Sequence, residues 1–373
     1  MIYLDNAATT FPKPPSVIRS TLECMKKYCG NPARSSHELS VKASEAVYDT
    51  REAIAELLHI KESERVVFTL NATYALNLAI KTTITEKCHV IISDAEHNSV
   101  LRPIKRLEED LGVEYSTFNS YSENLEDEII SHIREDTKAI ISTLASNVTG
   151  KRIPLDTLSK IGKRYHLVLI VDAAQAIGHN DIDLSKTPCD VLCAPGHKAL
   201  FGIQGCGFAV FCDRRQRKSL IEGGSGTDSK SRYMPELLPE RFEAGTLPTP
   251  AIVSLRAGIS YIKLRGLRDI AQHISALEGR FSDILNTISG VKIYSEHSGI
   301  ISFSYKDIPS SVIAEELNSR KICTRSGLHC APMIHEKLGS DDRGLVRISL
   351  SALNDIREAD KFYSAFKEIS KKY

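Results

Sequence analysis

Apolar and polar residues follow one another along the chain with two different periods, one typical of strands and one typical of helices. Two continuous apolar runs, at residues 167–171 and 191–193, predict buried strands of a parallel sheet that is covered on both faces. Residues 37–60 carry apolar positions at helical spacing, which predicts a long amphipathic helix. Strand and helix patterns then alternate over residues 66–165, and this alternation predicts an α/β domain with a mostly parallel sheet.

Regular patterning lapses between residues 221 and 250, where Gly, Ser and Pro are frequent. A long irregular segment of this kind predicts a border between domains. Residues 251–287 are largely helical in pattern, and strand patterns then alternate with helical ones up to residue 371. We therefore expect a large α/β domain over residues 13–250, followed by a smaller α+β domain over residues 251–373.

The composition excludes several classes of function. Lys and Arg number 48 against 47 Asp and Glu, for a net charge of +1, so we expect neither nucleic-acid nor anionic-membrane binding. No stretch reaches the roughly 20 apolar residues of a membrane span, and the opening residues MIYLD do not resemble a signal peptide. The nine cysteines form no Cys-x-x-Cys pair. This predicts reduced thiols in a cytoplasmic protein, without a metal site.

Two polar residues follow the two apolar runs. Asp172 comes directly after the first run, and Lys198 follows the second in the turn Pro195-Gly196-His197-Lys198. The carboxyl ends of neighbouring parallel strands meet at one edge of a sheet, where ligands bind, so we expect both side chains to face one crevice. Alone, the lysine would be read as a surface residue and the aspartate as a strand-end cap. Together they match what pyridoxal phosphate needs, a Schiff-base amine and a carboxylate for the ring nitrogen.

Five stretches, in their order along the chain, resemble motifs of the cysteine desulfurase family of class V aminotransferases. They are YLDNAATT at residues 3–10, DAAQ at 172–175, GHK at 196–198, RFEAGT at 241–246 and RSGLHCAP at 325–332. The resemblance implies a pyridoxal-phosphate enzyme of fold type I with a seven-stranded, mostly parallel sheet. It also implies that residues 1–12 pack with the smaller domain and that the protein is a homodimer.

The resemblance assigns cofactor contacts to residues that alone would be typical of structural positions. Lys198 would form the Schiff base, Asp172 would pair with the ring nitrogen, and His97 would stack on the ring and take part in catalysis. The remaining implied contacts are Gln175, Asn147 and His197.

The phosphate is expected at residues 70–74, where a strand gives way to a helix. The free backbone N–H groups and dipole of a helix start suit a dianion, and the ordinary alternative is an N-cap without a ligand. Ala72 and Thr73 are the candidate contacts. The sequence departs from the family pattern at Asn71 and Ala72, where glycine and threonine are familiar, and at Pro195, where serine is frequent. The resemblance implies that Thr246 reaches the phosphate of a partner subunit and that Arg34 is contributed across the same interface.

Arg347 lies in a mostly apolar strand pattern, VRISL at residues 346–350. Its guanidinium fork suits the α-carboxylate of an amino-acid substrate, and the alternative is a structural salt bridge. Arg325 is expected to assist in the same region. Asn147 and Arg34 complete the expected substrate contacts.

Cys330 distinguishes among possible activities. Most unpaired cysteines are inert small hydrophobes, but Cys330 lies in a loop pattern with Arg325 and His329 nearby, and such cations promote a thiolate. The resemblance implies that this thiol takes the sulfur of a cysteine substrate and becomes a persulfide while alanine leaves. The loop is short, as in family members that use a partner protein as sulfur acceptor, and Leu328 replaces a histidine common there.

The sequence therefore predicts a pyridoxal-phosphate-dependent cysteine desulfurase. One alternative keeps the cofactor and changes the chemistry, to selenocysteine lyase or another class V lyase or aminotransferase. A second alternative is a sulfur-transfer scaffold or regulatory subunit without turnover. The departures at Asn71, Ala72, Pro195 and Leu328 are the support for that second alternative.

Overall fold

A seven-stranded sheet forms the centre of the molecule in the computed structural model, which describes residues 1–32, 36–227, 229–296 and 298–373. The strands found in these residues are β1 (Ile2–Tyr3), β2 (Val66–Thr69), β3 (His89–Ser93), β4 (Glu114–Phe118), β5 (Thr137–Thr143), β6 (Val168–Asp172), β7 (Val191–Pro195), β8 (Gly207–Phe211), β9 (Val291–Ile293), β10 (Ile300–Tyr305), β11 (Ile322–Cys323), β12 (Arg325–Gly327) and β13 (Leu345–Ser349).

Helices cover the sheets and fill much of the remaining chain. They are α1 (Pro15–Lys27), α2 (Glu38–Leu57), α3 (Ala72–Thr83), α4 (Asn98–Leu111), α5 (Leu125–Ser131), α6 (Leu155–Tyr165), α7 (Thr249–Arg265), α8 (Leu267–Asn286), α9 (Ser310–Ser319), α10 (Pro332–Leu338) and α11 (Arg357–Lys372).

The central sheet has the strand order β2-β8-β7-β6-β5-β3-β4. The five strands from β7 to β4 are parallel to their neighbours, and β8 is antiparallel to both β7 and β2. The predicted fold class, α/β with a mostly parallel seven-stranded sheet, is confirmed.

Both faces of the central sheet are buried, as the continuous apolar runs require. Leu169 and Val171 of β6 pack in one apolar cluster, while Val168 and Ile170 pack in another on the opposite face, because successive side chains of a strand point to opposite sides. Helices α3 and α4 belong to the second cluster. The first cluster extends through α7 and α8 into the β10 and β13 region, so the two sheets share a continuous apolar core.

The helical pattern over residues 251–287 is interrupted by a turn. Helices α7 and α8 are separated at Gly266, which ends α7 with a φ of 87°. Residues with a side chain rarely adopt this left-handed backbone, and glycine adopts it without steric cost. Helix α7 packs on α1, α2 and α8. The domain border expected at residue 250 therefore falls at the start of α7, a helix that contacts two helices of the expected large domain. The division into domains stays a prediction.

A second sheet of four strands, β12-β13-β10-β9, is antiparallel throughout. The chain's first strand reaches this half of the molecule, since β1 pairs in parallel with β11, and Ile2 lies opposite Ile322. Asn6 extends the connection by donating a hydrogen bond from Nδ2 to the Ser349 carbonyl (2.9 Å). These contacts lay the segment that follows β1 between the two sheets.

Within the described ranges, none of the helices is both long and apolar enough to cross a membrane. The same residues contain no cluster of three or more His, Cys, Asp or Glu side chains placed to hold a metal ion.

Candidate active site

The carboxyl edge of the central sheet brings Asp172 and Lys198 to one cleft. Asp172 is the last residue of β6 and lies opposite Cys193 of the parallel neighbour β7. Lys198 follows the last residue of β7, Pro195, by three positions. Both side chains line a cleft of about 260 Å³, at the edge where parallel sheets bind ligands.

Two buried carboxyl groups lie close together: Asp172 lines the cleft, and Glu96 is buried beside it. Asp172 is 4% exposed and accepts a hydrogen bond from the Ala174 N–H (2.8 Å); burial raises its pKa, and that hydrogen bond and Lys198 oppose the shift. Glu96 accepts hydrogen bonds from Ser93 Oγ and the Thr143 N–H. Burial raises the pKa of Glu96 to about 8. Glu96 is therefore mainly protonated at neutral pH.

The Lys198 amine is tuned toward its neutral form. Burial lowers the pKa of Lys198 to about 8, Arg347 and Arg325 lower it further, and Asp172 opposes them. A lysine with this pKa is neutral in about one molecule in ten at pH 7. An amine of this kind is a nucleophile at physiological pH, which an ordinary surface lysine is not.

The segment after β1 braces the backbone around Lys198. Thr10 donates a hydrogen bond from Oγ1 to the Lys198 carbonyl (2.7 Å). Lys13 Nζ (2.8 Å) and Thr9 Oγ1 (3.2 Å) donate to the carbonyl of His197. Three side chains from one short segment therefore hold the turn that carries the lysine.

His97 forms part of the cleft wall at the start of α4. Its Nδ1 accepts a hydrogen bond from the Ser99 N–H (3.0 Å), so it caps the helix. Burial lowers the pKa of His97 to about 4, and Lys198 adds to the shift. The ring is neutral at physiological pH, and a flat neutral ring at this place can stack on an aromatic ligand.

The start of α3 forms another side of the cleft. Asn71 is the N-cap, and its Oδ1 accepts from the Tyr74 N–H (3.1 Å). Ala72 and Thr73 occupy the first helical turn and line the cleft. Thr73 Oγ1 forms a hydrogen bond with Ser99 Oγ (2.7 Å). The start of α3 thus carries a side-chain N-cap, as an ordinary helix does, and it also presents a helix N-terminus to the cleft, which suits an anion.

The Nδ1 atom of His197 is a buried polar atom at the cleft wall. It has no hydrogen-bond partner among the residues that the structure describes. Burial lowers the pKa of His197 to about 4. An unpaired buried polar atom costs free energy, so its position on the cleft wall is suited to a ligand's polar group. Pro195, where the family pattern often has serine, also lines the cleft.

Two guanidinium groups lie side by side at the opposite wall. Arg325 of β12 lies directly opposite Arg347 of β13. Arg347 is 1% exposed; its Nη2 pairs with Asp5 Oδ1 (2.9 Å) and its Nη1 donates to the Asn147 carbonyl (3.0 Å). Like charges directly opposite repel, and one carboxylate balances only one of them. The salt bridge considered for Arg347 is therefore present, and the cleft still has positive charge to offer a substrate carboxylate.

Two amide side chains at the cleft wall each donate to a backbone carbonyl. Gln175 donates from Nε2 to Ala7 (3.1 Å), and Asn147 donates from Nδ2 to His329 (2.7 Å). Both residues line the cleft. These bonds fix the orientation of the two amides toward the space between them.

The loop of Cys330 is held in an unfavourable backbone conformation. His329 and Cys330 have φ values of 51° and 59°, in the left-handed region that costs a residue with a side chain about 1 kcal/mol or more. Asn98 donates from its N–H to the Cys330 carbonyl (2.7 Å), and Asn147 holds His329 as described. Arg325 Nη2 lies 3.9 Å from Cys330 Sγ, and the Cys330 side chain is exposed.

One expectation for this loop is wrong. His329 was a candidate cation beside the thiol, but burial lowers the pKa of His329 to about 2, and Arg347 adds to the shift. The imidazole is therefore neutral. Arg325 is the cation that faces Cys330.

The cleft thus brings together most of the predicted site residues. Those that line it are Ala72, Thr73, His97, Asn147, Asp172, Gln175, His197, Lys198, Arg325 and Arg347. Among the residues that the structure describes, Cys330 and Thr246 do not line this cleft. Thr246 is exposed, and Arg34 lies outside the described residues.

Several residues that shape the site were missed by sequence reasoning. Asp5 pairs with Arg347 across more than 300 positions, Glu96 is a buried acid beside Asp172, and His335 contacts His329. Glu96 carried one usable signal, a carboxylate three positions after the last residue of the buried strand β3. Asp5 and His335 carried none, because their partners are distant or lie on another element.

The stretch RFEAGT is anchored by a buried ion pair. Glu243 accepts from Arg51 through Oε2 and from the Phe68 N–H through Oε1 (2.6 Å). The side chains of Arg51 and Glu243 are 8% and 6% exposed. Arg51 also lies over the Phe68 ring, 4.5 Å from its centroid. This pair ties the irregular segment that carries Thr246 to α2 and β2.

We expect Glu243→Ala to lower the free energy of unfolding of the protein by about 3–5 kcal/mol, because it leaves the Arg51 guanidinium buried without its carboxylate. Equilibrium urea denaturation measures the loss. Glu236→Ala, which removes an exposed carboxylate from the same segment, is the matched control and should change the value by less than about 0.5 kcal/mol. Equal losses for the two variants would contradict a stabilising pair.

Fold and cleft together define the class: an α/β protein with a tuned lysine and a buried aspartate at the carboxyl edge of a mostly parallel sheet. The model of the class-V aminotransferase family matches residues 2–362. The chain therefore belongs to the class-V aminotransferase family, as the motifs predicted.

Relatives and solved structures agree. The chain is 30% identical over 382 residues to a probable cysteine desulfurase of Methanothermobacter thermautotrophicus, covering 99% of this chain and 94% of the relative. It is 30% identical to a probable cysteine desulfurase of Pyrococcus abyssi, covering 100% and 94%. An apo structure of a cysteine desulfurase from Thermococcus onnurineus superposes with a TM-score of 0.93 at 29% identity, covering 100% of this chain and 95% of that one. The predicted resemblance to the cysteine desulfurase family is confirmed.

Proposed function

We propose that this protein is a pyridoxal-phosphate-dependent cysteine desulfurase. The observation that carries the proposal is the meeting of Asp172 and Lys198 in one cleft, with Arg347 at its wall and Cys330 at its edge. The relatives named above as probable cysteine desulfurases support the same activity.

The cleft residues fit pyridoxal phosphate. Lys198 supplies an amine for its aldehyde, and Asp172 supplies a carboxyl group for its ring nitrogen. His97 offers a neutral ring for stacking. The first turn of α3 and the unpaired His197 Nδ1 suit its phosphate. When bound, the cofactor withdraws electrons from the substrate Cα and so makes removal of a proton there feasible.

The chain's own residues bind and orient the amino acid. Arg347 holds the α-carboxylate, because its guanidinium is buried and already aligned by Asp5 and the Asn147 carbonyl. The Lys198 Nζ, neutral in part at pH 7, takes and returns protons next to Cα. Glu96, mainly protonated at neutral pH, adds little negative charge beside Asp172.

Cys330 receives the sulfur. Its thiol loses a proton, the thiolate attacks the sulfur of the substrate, and the bond from that sulfur to the substrate carbon breaks. The electron pair stays with the carbon, which gains a proton, so the products are alanine and a persulfide on Cys330. One sulfur atom moves and no external oxidant is consumed. Arg325 Nη2 lies 3.9 Å from the attacking sulfur.

The proposal is tested with protein loaded with pyridoxal phosphate and incubated with L-cysteine and a thiol reductant. Alanine and sulfide should appear in equal amounts. Sulfide without alanine, or neither product from fully loaded protein, would contradict a desulfurase.

Loading with pyridoxal phosphate should depend on pH through Lys198. Burial lowers the pKa of this amine to about 8, and the neutral form reacts with an aldehyde. The rate of loading is therefore expected to rise with pH and to level off above about pH 8. Stopped-flow absorbance measures the rate.

Lys13 provides the control for this experiment, because burial also lowers its pKa to about 8. The Lys13→Gln variant should keep the wild-type pH midpoint of the loading rate, since the amine that reacts is that of Lys198. A midpoint near the ordinary lysine value of 10.5, or a midpoint lost in Lys13→Gln, would contradict the assignment.

A homodimer is the assembly that we propose. Helix α1 exposes Ile18, Leu22 and Met25 at spacings of four and three, a stripe along one helix face. Exposed apolar stripes of this kind mark interaction surfaces. Thr246 is exposed outside the cleft, which suits a residue that serves a partner's site. Sedimentation at micromolar concentration should show twice the chain mass.

We also propose a reducing compartment such as the cytoplasm, and a partner protein as final sulfur acceptor. All nine cysteines are free thiols, as expected where disulfides are reduced. Cys330 is exposed, so another protein's thiol can reach its persulfide.

A further inference from the structure

Next to the cleft, two histidines and a serine form a buried chain of hydrogen bonds. His329 Nδ1 lies 3.3 Å from His335 Nε2, and His335 Nδ1 lies 2.9 Å from Ser340 Oγ. The planes of the two imidazole rings are inclined by 24°, with centroids 5.5 Å apart. His329, His335 and Ser340 are 3%, 0% and 7% exposed. None of them belongs to the proton transfers described so far.

The chain ends on an unpaired atom at the cleft. His329 lines the cleft, and its Nε2 is buried without a hydrogen-bond partner in the described part of the chain. The Arg347 Nε is buried and unpaired in the same sense. Both lie in the wall where Arg325 and Arg347 concentrate positive charge. Two buried polar atoms left open beside two guanidinium groups indicate an anionic ligand.

We propose that His329 is a further substrate-binding residue, which donates from Nε2–H to the α-carboxylate of the amino acid, and that His335 and Ser340 are positioning residues that hold this tautomer. The inference rests on the proposed function in that it takes an amino acid as the ligand.

The direction of the chain follows from its chemistry. A carboxylate offers acceptors alone, so an Nε2 lone pair there would repel it, whereas an Nε2–H adds a bond. With the proton on Nε2, His329 Nδ1 accepts from His335 Nε2–H. The Ser340 hydroxyl lies 2.9 Å from His335 Nδ1 and 3.4 Å from the His335 carbonyl, and in this arrangement it donates to the nearer Nδ1. Burial lowers the pKa of His329, the facing groups Arg347, His335 and Arg325 add to the shift, and a hydrogen bond with the Arg325 backbone opposes it, so the imidazole is neutral. The donor is therefore fixed without a second charge.

The loop geometry supports a positioning role. His329 has a left-handed φ of 51°, and its carbonyl is held by Asn147, which also supplies a carbonyl to Arg347. The His329 backbone and the Arg347 guanidinium are thus both hydrogen-bonded to one residue, Asn147. Their open N–H groups keep a fixed relation to each other.

The test compares two ligands that differ in the carboxylate, L-alanine and ethylamine. The dissociation constant of each is measured with protein loaded with pyridoxal phosphate, from the visible absorbance of the cofactor. His329→Leu should weaken L-alanine by about 10- to 100-fold and leave ethylamine unchanged within about twofold. His329→Gln, which can place an amide N–H near the Nε2 position, should recover most of the loss. An equal loss of affinity for both ligands, or no loss of affinity for L-alanine, would overturn the proposal.

The positioning residues have a milder expected effect. His335→Leu and Ser340→Ala should each weaken L-alanine by about fivefold, and His335→Gln, which keeps a donor toward His329 Nδ1, should remain near the wild-type value. Thermal unfolding shows which variants are folded. If His335→Leu does not fold, Ser340→Ala still tests the positioning role. An unchanged L-alanine affinity in folded Ser340→Ala and His335→Leu would overturn the positioning role.

A second measurement needs no cofactor. In the apoprotein with isotope-labelled histidine, NMR reports the tautomer of His329, whose signal is identified by its loss in His329→Gln. The Nε2–H tautomer is expected in the wild type and a mixture in His335→Leu; a wild-type Nδ1–H tautomer would overturn the proposal. Because neither readout uses sulfur transfer, failure of the desulfurase activity and failure of this inference are separable.

Discussion

Lys198→Ala is expected to reduce the rate of alanine formation from L-cysteine by at least about 10³-fold. The variant lacks the amine that attaches the cofactor and the atom that moves protons at Cα, so two functions disappear with one side chain. Alanine released from L-cysteine, measured by chromatography on protein incubated with excess pyridoxal phosphate, gives the rate.

The Lys198→Arg variant tests whether the side chain at this position must be able to become neutral or needs only to carry a positive charge. Arginine keeps the positive charge and is not deprotonated in proteins, so this variant should be as inactive as Lys198→Ala. Lys13→Gln removes a neighbouring amine that donates to the His197 carbonyl, and it should retain activity within about tenfold. Activity in Lys198→Arg close to that of the wild type would contradict a neutral-amine role.

Cys330→Ala is expected to abolish alanine formation from L-cysteine, to below about one-thousandth of the wild-type rate, and to leave cofactor loading unchanged. The thiol lies at the edge of the cleft, and the atoms proposed to hold the cofactor belong to other residues. Mass spectrometry of the wild type after a single turnover should find one added sulfur on the peptide that contains Cys330.

Cys29→Ala is the matched control, since Cys29 is also an exposed free thiol and lies at the end of α1, away from the cleft. It should keep full activity. If Cys330→Ala released alanine at the wild-type rate, the chemistry would not need this thiol, and an elimination of the selenocysteine lyase type would describe the protein better.

Features that depend on one strand and its neighbour were predictable from the sequence. Continuous apolar runs indicate strands buried on both faces, and the polar residues that follow them mark one edge of the sheet. Asp172 and Lys198 were placed in one crevice on this ground, and both line the same cleft. The family motifs extended the site to residues whose own pattern is ambiguous, such as Asn147 and Gln175.

Features that depend on long-range pairing were not predictable in the same way. Arg347 could be read as a carboxylate ligand or as a salt-bridge partner, and only the arrival of Asp5 from the other end of the chain shows that both apply. His329 looks like a cation beside Cys330 until its burial is known. A titrating group's charge depends on its surroundings in three dimensions, which spacing along a sequence does not report.

The segment that follows β1 has a consequence for biosynthesis. Residues 2–13 are translated before their partners, which are the turn at His197 and Lys198, the strand at Ile322 and the strand at Ser349. Contacts between such distant positions form late, because the loop between them must close. In the nascent chain this segment therefore lacks its contacts with Ile322 and Ser349 until β11 and β13 have been translated. A polypeptide that stops before β13 lacks the strand that both completes the cleft and anchors its own beginning.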